Sequence, residues 1–223
     1  MSDLKNWTTR PAPERKVLEG RYCRLDPLDV ARHGADLFAA LTGADSVWDY
    51  LPAPPPKDRA EYDAVLEAAL KAPDITFAVI DRQDGKAKGH LRMMEIRPPH
   101  GVFEVGWITY SPAMQRTRPA TEAVYLIGDY GFSLGYRRYE WKCNNRNEPS
   151  KRAARRFGFQ YEGLFRQHQV VKGENRDTAW FSIIDAEWPA RKAAFERWLA
   201  PENFDKDGRQ KQSLAAFGPS AAA

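Results

Sequence analysis

Glu104 stands in a strand-like run, GVFEVGWITY, next to Val105 and in step with Gly106 and Ile108. Side chains alternate along a strand, so Glu104, Gly106 and Ile108 should share one face. Apolar surroundings disfavour an ionised carboxylate and lift its pKa toward values suited to a general base. The competing readings are an exposed strand carboxylate or an ion pair with a neighbouring arginine. A second group follows in MQRTRPATEAVYL, residues 114–126, where Arg116 and Arg118 precede a helix. A helix start carries unbonded N–H groups and partial positive charge, a combination that binds phosphates. Arginines there would add charge-assisted hydrogen bonds; the alternative is a solvated basic turn. Pro119 suits a first helical turn, where its missing N–H is not needed. A third group, Asn147 and Ser150 in NNRNEPSKRAARRFGF, reads on its own as helix capping.

The elements that must position these groups follow from pattern. VLEGRYCRLDPL (17–28) reads as a first strand, and Asp29 caps a helix running to about Leu41. The proline run after DSVWDYL forbids helix, and Asp58 caps a second helix over about 59–71. ITFAVID, KGHLRMMEI and GVFEVGWITY form three consecutive strands, an antiparallel meander. The TEAVYLIGDYGFSLGY helix, a YEWKC strand, the EPSKRAARRFGF helix, a hairpin around GEN and a helix over about 189–199 complete the order. This predicts one α/β domain over 16–200: a mixed, mostly antiparallel central sheet flanked by helices. Residues 1–15 read as a flexible arm and 201–223 as a disordered tail.

The composition, 43% hydrophobic and 29% charged over 223 residues, is that of a globular chain. No run approaches a membrane span. MSDLKNWTTRPAPERK lacks the apolar region of a secretory signal. Cys23 and Cys143 make neither a disulfide framework nor a zinc cluster, so the expectation is a reduced, cytoplasmic protein without metal. The net charge of +4 is mild, but basic residues concentrate between Arg116 and Arg156. Such a zone attracts nucleic acid or a polyanionic cofactor. The aromatic interleaving of a nucleic-acid stacking platform is missing, so nucleic acid is not the expected partner.

EVGWITYSPAMQRTRPATEA, NNRNEPSKRAARRFGFQYEG and DTAWFSI together resemble the GNAT acetyltransferases, specifically the RimJ/RimL-like ribosomal-protein N-terminal branch. The resemblance spans roughly residues 16–188. It implies acetyl-CoA as co-substrate, its pyrophosphate held by a Q/R-x-x-G-x-G/A loop. Here that loop is Gln115-Arg116-Thr117-Arg118-Pro119-Ala120, leading into Thr121. Gln115 and Ala120 match; Arg118 replaces the middle glycine and could offer its guanidinium instead. The resemblance further implies that Asn147 bonds the pantetheine arm, that Ser150 lies near the thioester sulfur, and that Lys151 and Arg155 reach the phosphates. It assigns the backbone around Trp107, Ile108 and Thr109 to the thioester oxygen.

Acetyl transfer requires a neutral amine, a donor for the oxyanion and a proton for the departing thiolate. Glu104 is the candidate base and Ser150 the candidate acid. The branch's usual glutamate is replaced by Gln169, which cannot be a base. His168 should point to the other sheet face. Trp48-Asp49-Tyr50-Leu51-Pro52 resembles the W-x-Y-x-P loop that walls the acceptor site, so Trp48, Tyr50, Glu104 and His168 are the candidate acceptor contacts. The acceptor class stays open between a small amine and a protein N-terminus, and a homodimer is compatible with the sequence. A CoA-binding module without turnover is the alternative function.

Overall fold

The computed structural model describes residues 4–218. The elements run β1 (Leu18–Glu19), β2 (Cys23–Pro27), α1 (Val30–Leu41), α2 (Arg59–Leu70), β3 (Ile75–Asp81), β4 (Ala87–Arg97), β5 (Val102–Tyr110), α3 (Arg118–Ser133), β6 (Arg138–Asn144), α4 (Glu148–Arg156), β7 (Gln160–Val171), β8 (Glu174–Ile184), α5 (Trp188–Leu199) and α6 (Leu214–Phe217). The eight strands form one sheet, ordered β1-β2-β3-β4-β5-β6-β8-β7. Every neighbouring pair is antiparallel except β5 and β6.

The helices start where side chains can take their free N–H groups. Asp29 accepts from Arg32 N at 3.1 Å, and Asp58 accepts from Glu61 N at 2.9 Å. Alternation then sorts the sheet into two faces. Phe77, Val79, Leu91, Phe103, Val105 and Tyr139 pack in one core with α3 and α5. Phe103 stacks on Tyr139 at 4.6 Å between centroids. Ala78, Ile80 and Ala87 pack on the opposite face with Leu37, Trp48, Tyr62 and Leu66 of the α1–α2 layer.

The first strand differs from expectation. It is broken into a hairpin at Gly20–Tyr22, because the buried Glu122 carboxylate of α3 accepts from the N–H groups of Arg21, Tyr22 and Cys23 at 2.8, 2.6 and 2.8 Å. A Cβ on Gly20 would stand 2.5 Å from Glu122 Oε2, so only glycine fits this turn.

Both ends of the described chain are fastened, against the expectation of a loose arm and tail. Trp7 Nε1 donates to Pro99 O at 2.8 Å, Glu14 N to Tyr130 OH at 2.7 Å and Tyr136 OH to Pro11 O at 3.2 Å. After Pro201, Phe204 and Leu214 are buried. Trp198 Nε1 donates to Gln210 Oε1 at 2.8 Å, and Asn203 Nδ2 donates to Trp198 O at 3.0 Å. Trp198 and Leu199 of α5 belong to the same buried core as Phe204 and Leu214, with Phe204 edge-on to Trp198 at 5.2 Å between centroids. Residues 1–3 and 219–223, which belong to the same two expectations, lie outside the described residues.

Candidate functional site

The parallel ladder between β5 and β6 is short. It pairs Val102 with Arg138, Phe103 with Tyr139 and Glu104 with Glu140, and ends there. β5 continues to Tyr110 bound only to β4, while β6 continues to Asn144 bound only to β8. The sheet therefore splays open beyond Glu104. The β5 edge over 105–110 turns unpaired backbone groups into a crevice, and buried backbone groups need partners.

Glu104 sits at the apex of this splay. It is 4% exposed, and Lys142 Nζ lies 2.8 Å from its Oε2. Burial pushes its pKa up to about 7, and Lys142 opposes that rise. The expectation of a perturbed carboxylate and the expectation of an ion pair thus meet in one residue, with a lysine as the partner. Lys142 also lies 3.3 Å from Glu140 Oε2, and Glu140 is held in turn by Arg97 and Arg138, each at 2.7 Å.

The strand carrying Glu104 does not alternate as expected. Arg92 of β4 pairs with Gly106, but His90 pairs with Thr109, so β5 has one extra residue. Trp107 is the strained point, with φ of 49°. Such a bulge shifts the pleat by one residue. Glu104 and Gly106 keep the face opposite α3, whereas Ile108 packs against the α3 core.

At the α3 start, Thr117 is the N-cap. Its Oγ1 donates to Met114 O at 2.6 Å and accepts from Ala120 N at 3.4 Å. Gln115 Nε2 donates to Tyr110 O at 3.2 Å and ties the loop to the strand end. Arg116 has φ of 63°, and its exposed side chain faces solvent. Among the described residues, no hydrogen bond engages the Arg116 or Arg118 N–H. Ala120 and Thr121 are buried, and Thr121 Oγ1 accepts from Arg156 Nη1 at 3.1 Å. Arg118 departs from the phosphate role expected of its side chain. Its guanidinium lies over the rings of Tyr22 and Phe204, at 4.6 and 4.8 Å. Aromatic faces attract that charge, and the folded segment after Pro201 supplies one of them.

The α4 start lies on the other bank. Asn147 Oδ1 accepts from Ser150 N at 3.0 Å, a cap. Ser150 Oγ accepts from Trp141 Nε1 at 3.0 Å. Lys151 pairs with Glu148 at 2.6 Å, and Arg155 lies over the Phe181 ring at 5.5 Å.

The acceptor candidates gather on the Glu104 face. Trp48 is buried and its carbonyl accepts from Lys172 Nζ at 2.9 Å; Tyr50 OH donates to Arg146 O at 3.1 Å. These two bonds carry the α1–α2 loop across to the β6–α4 and β7–β8 turns, bridging the halves of the sheet. His168 is corrected. An irregularity between Phe165 and Gln169, with Gln167 at φ of 50°, turns it onto Thr178 at 3.0 Å, beside Trp180. Trp180 pairs with Lys142, so His168 shares the Glu104 face. Gln169 pairs with Arg176 on the same ladder.

The sequence reading missed Lys142, Arg92, Arg176 and Lys172. The first two were marked in principle. Arg92 alternates with buried Leu91 and Met93, and Lys142 with buried Trp141 and Cys143, so a charge was being directed onto the same face as Glu104.

A model of the GNAT acetyltransferase domain matches residues 24–160, and the chain belongs to this family. A GCN5-related N-acetyltransferase from Brucella melitensis is 54% identical, covers 96% of this chain and 99% of its own, and superposes with a TM-score of 0.94. Two uncharacterized Bacillus N-acetyltransferases are also similar. The p20 protein of Bacillus licheniformis is 40% identical over 31% of this chain, and YoaA of Bacillus subtilis is 33% identical over 47%. The matches span 39% and 60% of the lengths of those two relatives. Enzymes of the family use acetyl-CoA, and the site fits it: a slot of unpaired β5 backbone leads toward a helix start with free N–H groups. No helix among the described residues is long and apolar enough to cross a membrane.

Proposed function

We propose that the chain is an acetyl-CoA-dependent N-acetyltransferase that transfers acetyl directly to a primary amine. The observation that carries this reading is the end of the β5·β6 ladder at Glu104, a buried carboxylate at the inner end of a backbone-lined slot. Bound acetyl-CoA supplies an activated acetyl thioester. The Gln115–Thr121 segment holds its pyrophosphate through the α3 N-terminus, with Arg116 as the free cation. Trp107–Thr109 backbone, Asn147, Lys151 and Arg155 orient the rest.

Glu104 takes the proton from the incoming amine, directly or through one water. A pKa of about 7 suits that task near neutral pH. Ser150 accepts from Trp141, so that bond does not use the hydroxyl proton; the same hydroxyl also meets the Cys143 thiol, and donation to the coenzyme sulfur would replace that contact. Trp48 and Tyr50 wall the acceptor side and exclude water, which supports a RimJ/RimL-like arrangement and a peptide N-terminus or small amine as acceptor. A cytoplasmic location fits the sequence. The second reading, an acyl-CoA-binding module without turnover, draws on Arg118 and Gln169 standing where the branch has glycine and glutamate. Release of free thiol from acetyl-CoA in the presence of an amine and peptide panel decides between them. Amine-dependent release supports the enzyme; binding with no release on any acceptor supports the module.

A further inference from the structure

Buried polar atoms almost always have hydrogen-bond partners, so a cluster without them calls for an explanation. One such cluster lies on the sheet face beside Glu104. Arg92 is 7% exposed and its Nε is buried with no partner. Thr76, its neighbour on β3, has an unpartnered Oγ1. His90, two residues along β4, has both ring nitrogens unpartnered, and the Tyr62 hydroxyl above it is unpartnered too. The Arg92 guanidinium lies over the Trp107 ring at 4.1 Å. Asp74 is near enough to favour its charge but makes no ion pair with it. Leaving a buried guanidinium unpaired is costly.

The chemistry of the cluster is consistent. Arginine donates only; the threonine and tyrosine hydroxyls donate; a neutral imidazole donates from one nitrogen. Burial holds His90 neutral. A buried guanidinium with no protein carboxylate paired to it, beside unpartnered hydroxyls and an imidazole that can also donate, describes a socket for an oxyanion. A guanidinium held over an indole, 4.1 Å from the ring centroid, offers the planar fork that a carboxylate matches. The socket adjoins the proposed base. Arg92 pairs with Gly106, and the Glu104 carboxyl leans over that residue, with Oε1 3.4 Å from where a Cβ at 106 would stand.

We infer that Arg92, with Thr76, binds a carboxylate of the acceptor, so that the substrate is an amine carrying a carboxylate a few bonds from its nitrogen. This rests on the acetyltransferase reading and names its substrate class. Such a carboxylate is supplied by a free amino acid or by an acidic first residue of a peptide.

The test uses free L-amino acids, their α-amides, and dipeptides beginning with Asp or Asn, with acetyl-CoA as donor. Two measurements run side by side: kcat/KM by thiol release, and the Tm shift each compound causes in the presence of CoA. The expected result is a preference for one carboxylate form over its amide of about 100-fold, the scale of truncating a buried charge pair. Arg92→Met abolishes the preference and Arg92→Lys keeps part of it. The source is the amino acid if acids beat α-amides, and the peptide if Asp beats Asn. Arg92→Met is also expected to leave the ligand-free Tm unchanged or raised, because an apolar chain replaces an unpaired charge. Equal kcat/KM on acids and amides overturns the inference and leaves acetyl transfer standing. No turnover, with a carboxylate-dependent Tm shift that Arg92→Met removes, keeps the socket and overturns acetyl transfer. No turnover and no such shift overturns the inference, as does a large Tm loss in Arg92→Met, which would make the arginine structural.

Discussion

Lys142 Nζ lies 2.8 Å from Glu104 Oε2, at the last rung where β5 and β6 still pair. The pair closes the inner end of the crevice and sets the protonation of its carboxylate. Burial raises the Glu104 pKa and Lys142 restrains it, giving about 7. A Glu104 fixed as an anion by a stronger partner would be a weak base; one with no partner would stay protonated.

Glu104→Gln should therefore lower kcat by about 100-fold or more, within the range of lost general-base catalysis, and leave acetyl-CoA affinity nearly unchanged. The wild-type kcat/KM should rise with pH through about 7, and that limb should vanish in the variant. Steady-state kinetics across pH checks both. Unchanged turnover would remove Glu104 from catalysis.

Lys142→Met should move the same limb to higher pH. It removes the charge that favours the ionised carboxylate and leaves Glu104 buried alone. The pH profile of kcat/KM reports it; an unmoved midpoint would mean that the limb belongs to another group.

Stability carries the same signature. Glu104 titrates near 4.5 when unfolded and near 7 when folded, so between those values the folded state holds the extra proton. Stability falls as pH rises through that window and levels off above it. The total is on the order of 3 kcal/mol at 1.36 kcal/mol per pKa unit. Glu104→Gln should abolish this component. Urea denaturation of both proteins at about pH 5 and about pH 8 measures it: the variant should gain relative stability at the higher pH.

Arg116→Ala should weaken acetyl-CoA binding more than Arg118→Ala. The Arg116 side chain is free, while the Arg118 guanidinium is engaged by Tyr22 and Phe204. Arg118→Ala should instead cost about 0.5–1 kcal/mol of stability and expose the segment after Pro201 to protease. Calorimetry and limited proteolysis separate the two effects; the reverse ranking would return Arg118 to the cofactor site.

Much of this arrangement was legible because it is local. Asp29, Asp58 and Asn147 cap helices in the structure as their types and positions suggest. Alternation in GVFEVGWITY put Glu104 and Val105 on opposite faces. What escaped depends on long-range contacts. The bulge at Trp107 moved Ile108 to the other face, and a slip of one residue leaves no mark in an alternating pattern. Gln167 turned His168 in the same way. The Gly20 turn is set by Glu122, about a hundred residues away in the chain, and the fold after Pro201 is set by what α5 must cover. The unpartnered state of Arg92 belongs to a neighbourhood of three strands and one helix, and emerges only once they are assembled.

The most direct test of the central claim, that the splayed β5–β6 crevice is an acetyl-CoA site, is a calorimetric titration of the protein with acetyl-CoA, with free CoA alongside. Saturable binding in the micromolar range, weakened by Arg116→Ala, is the expected result. Absence of binding up to millimolar concentrations would contradict it.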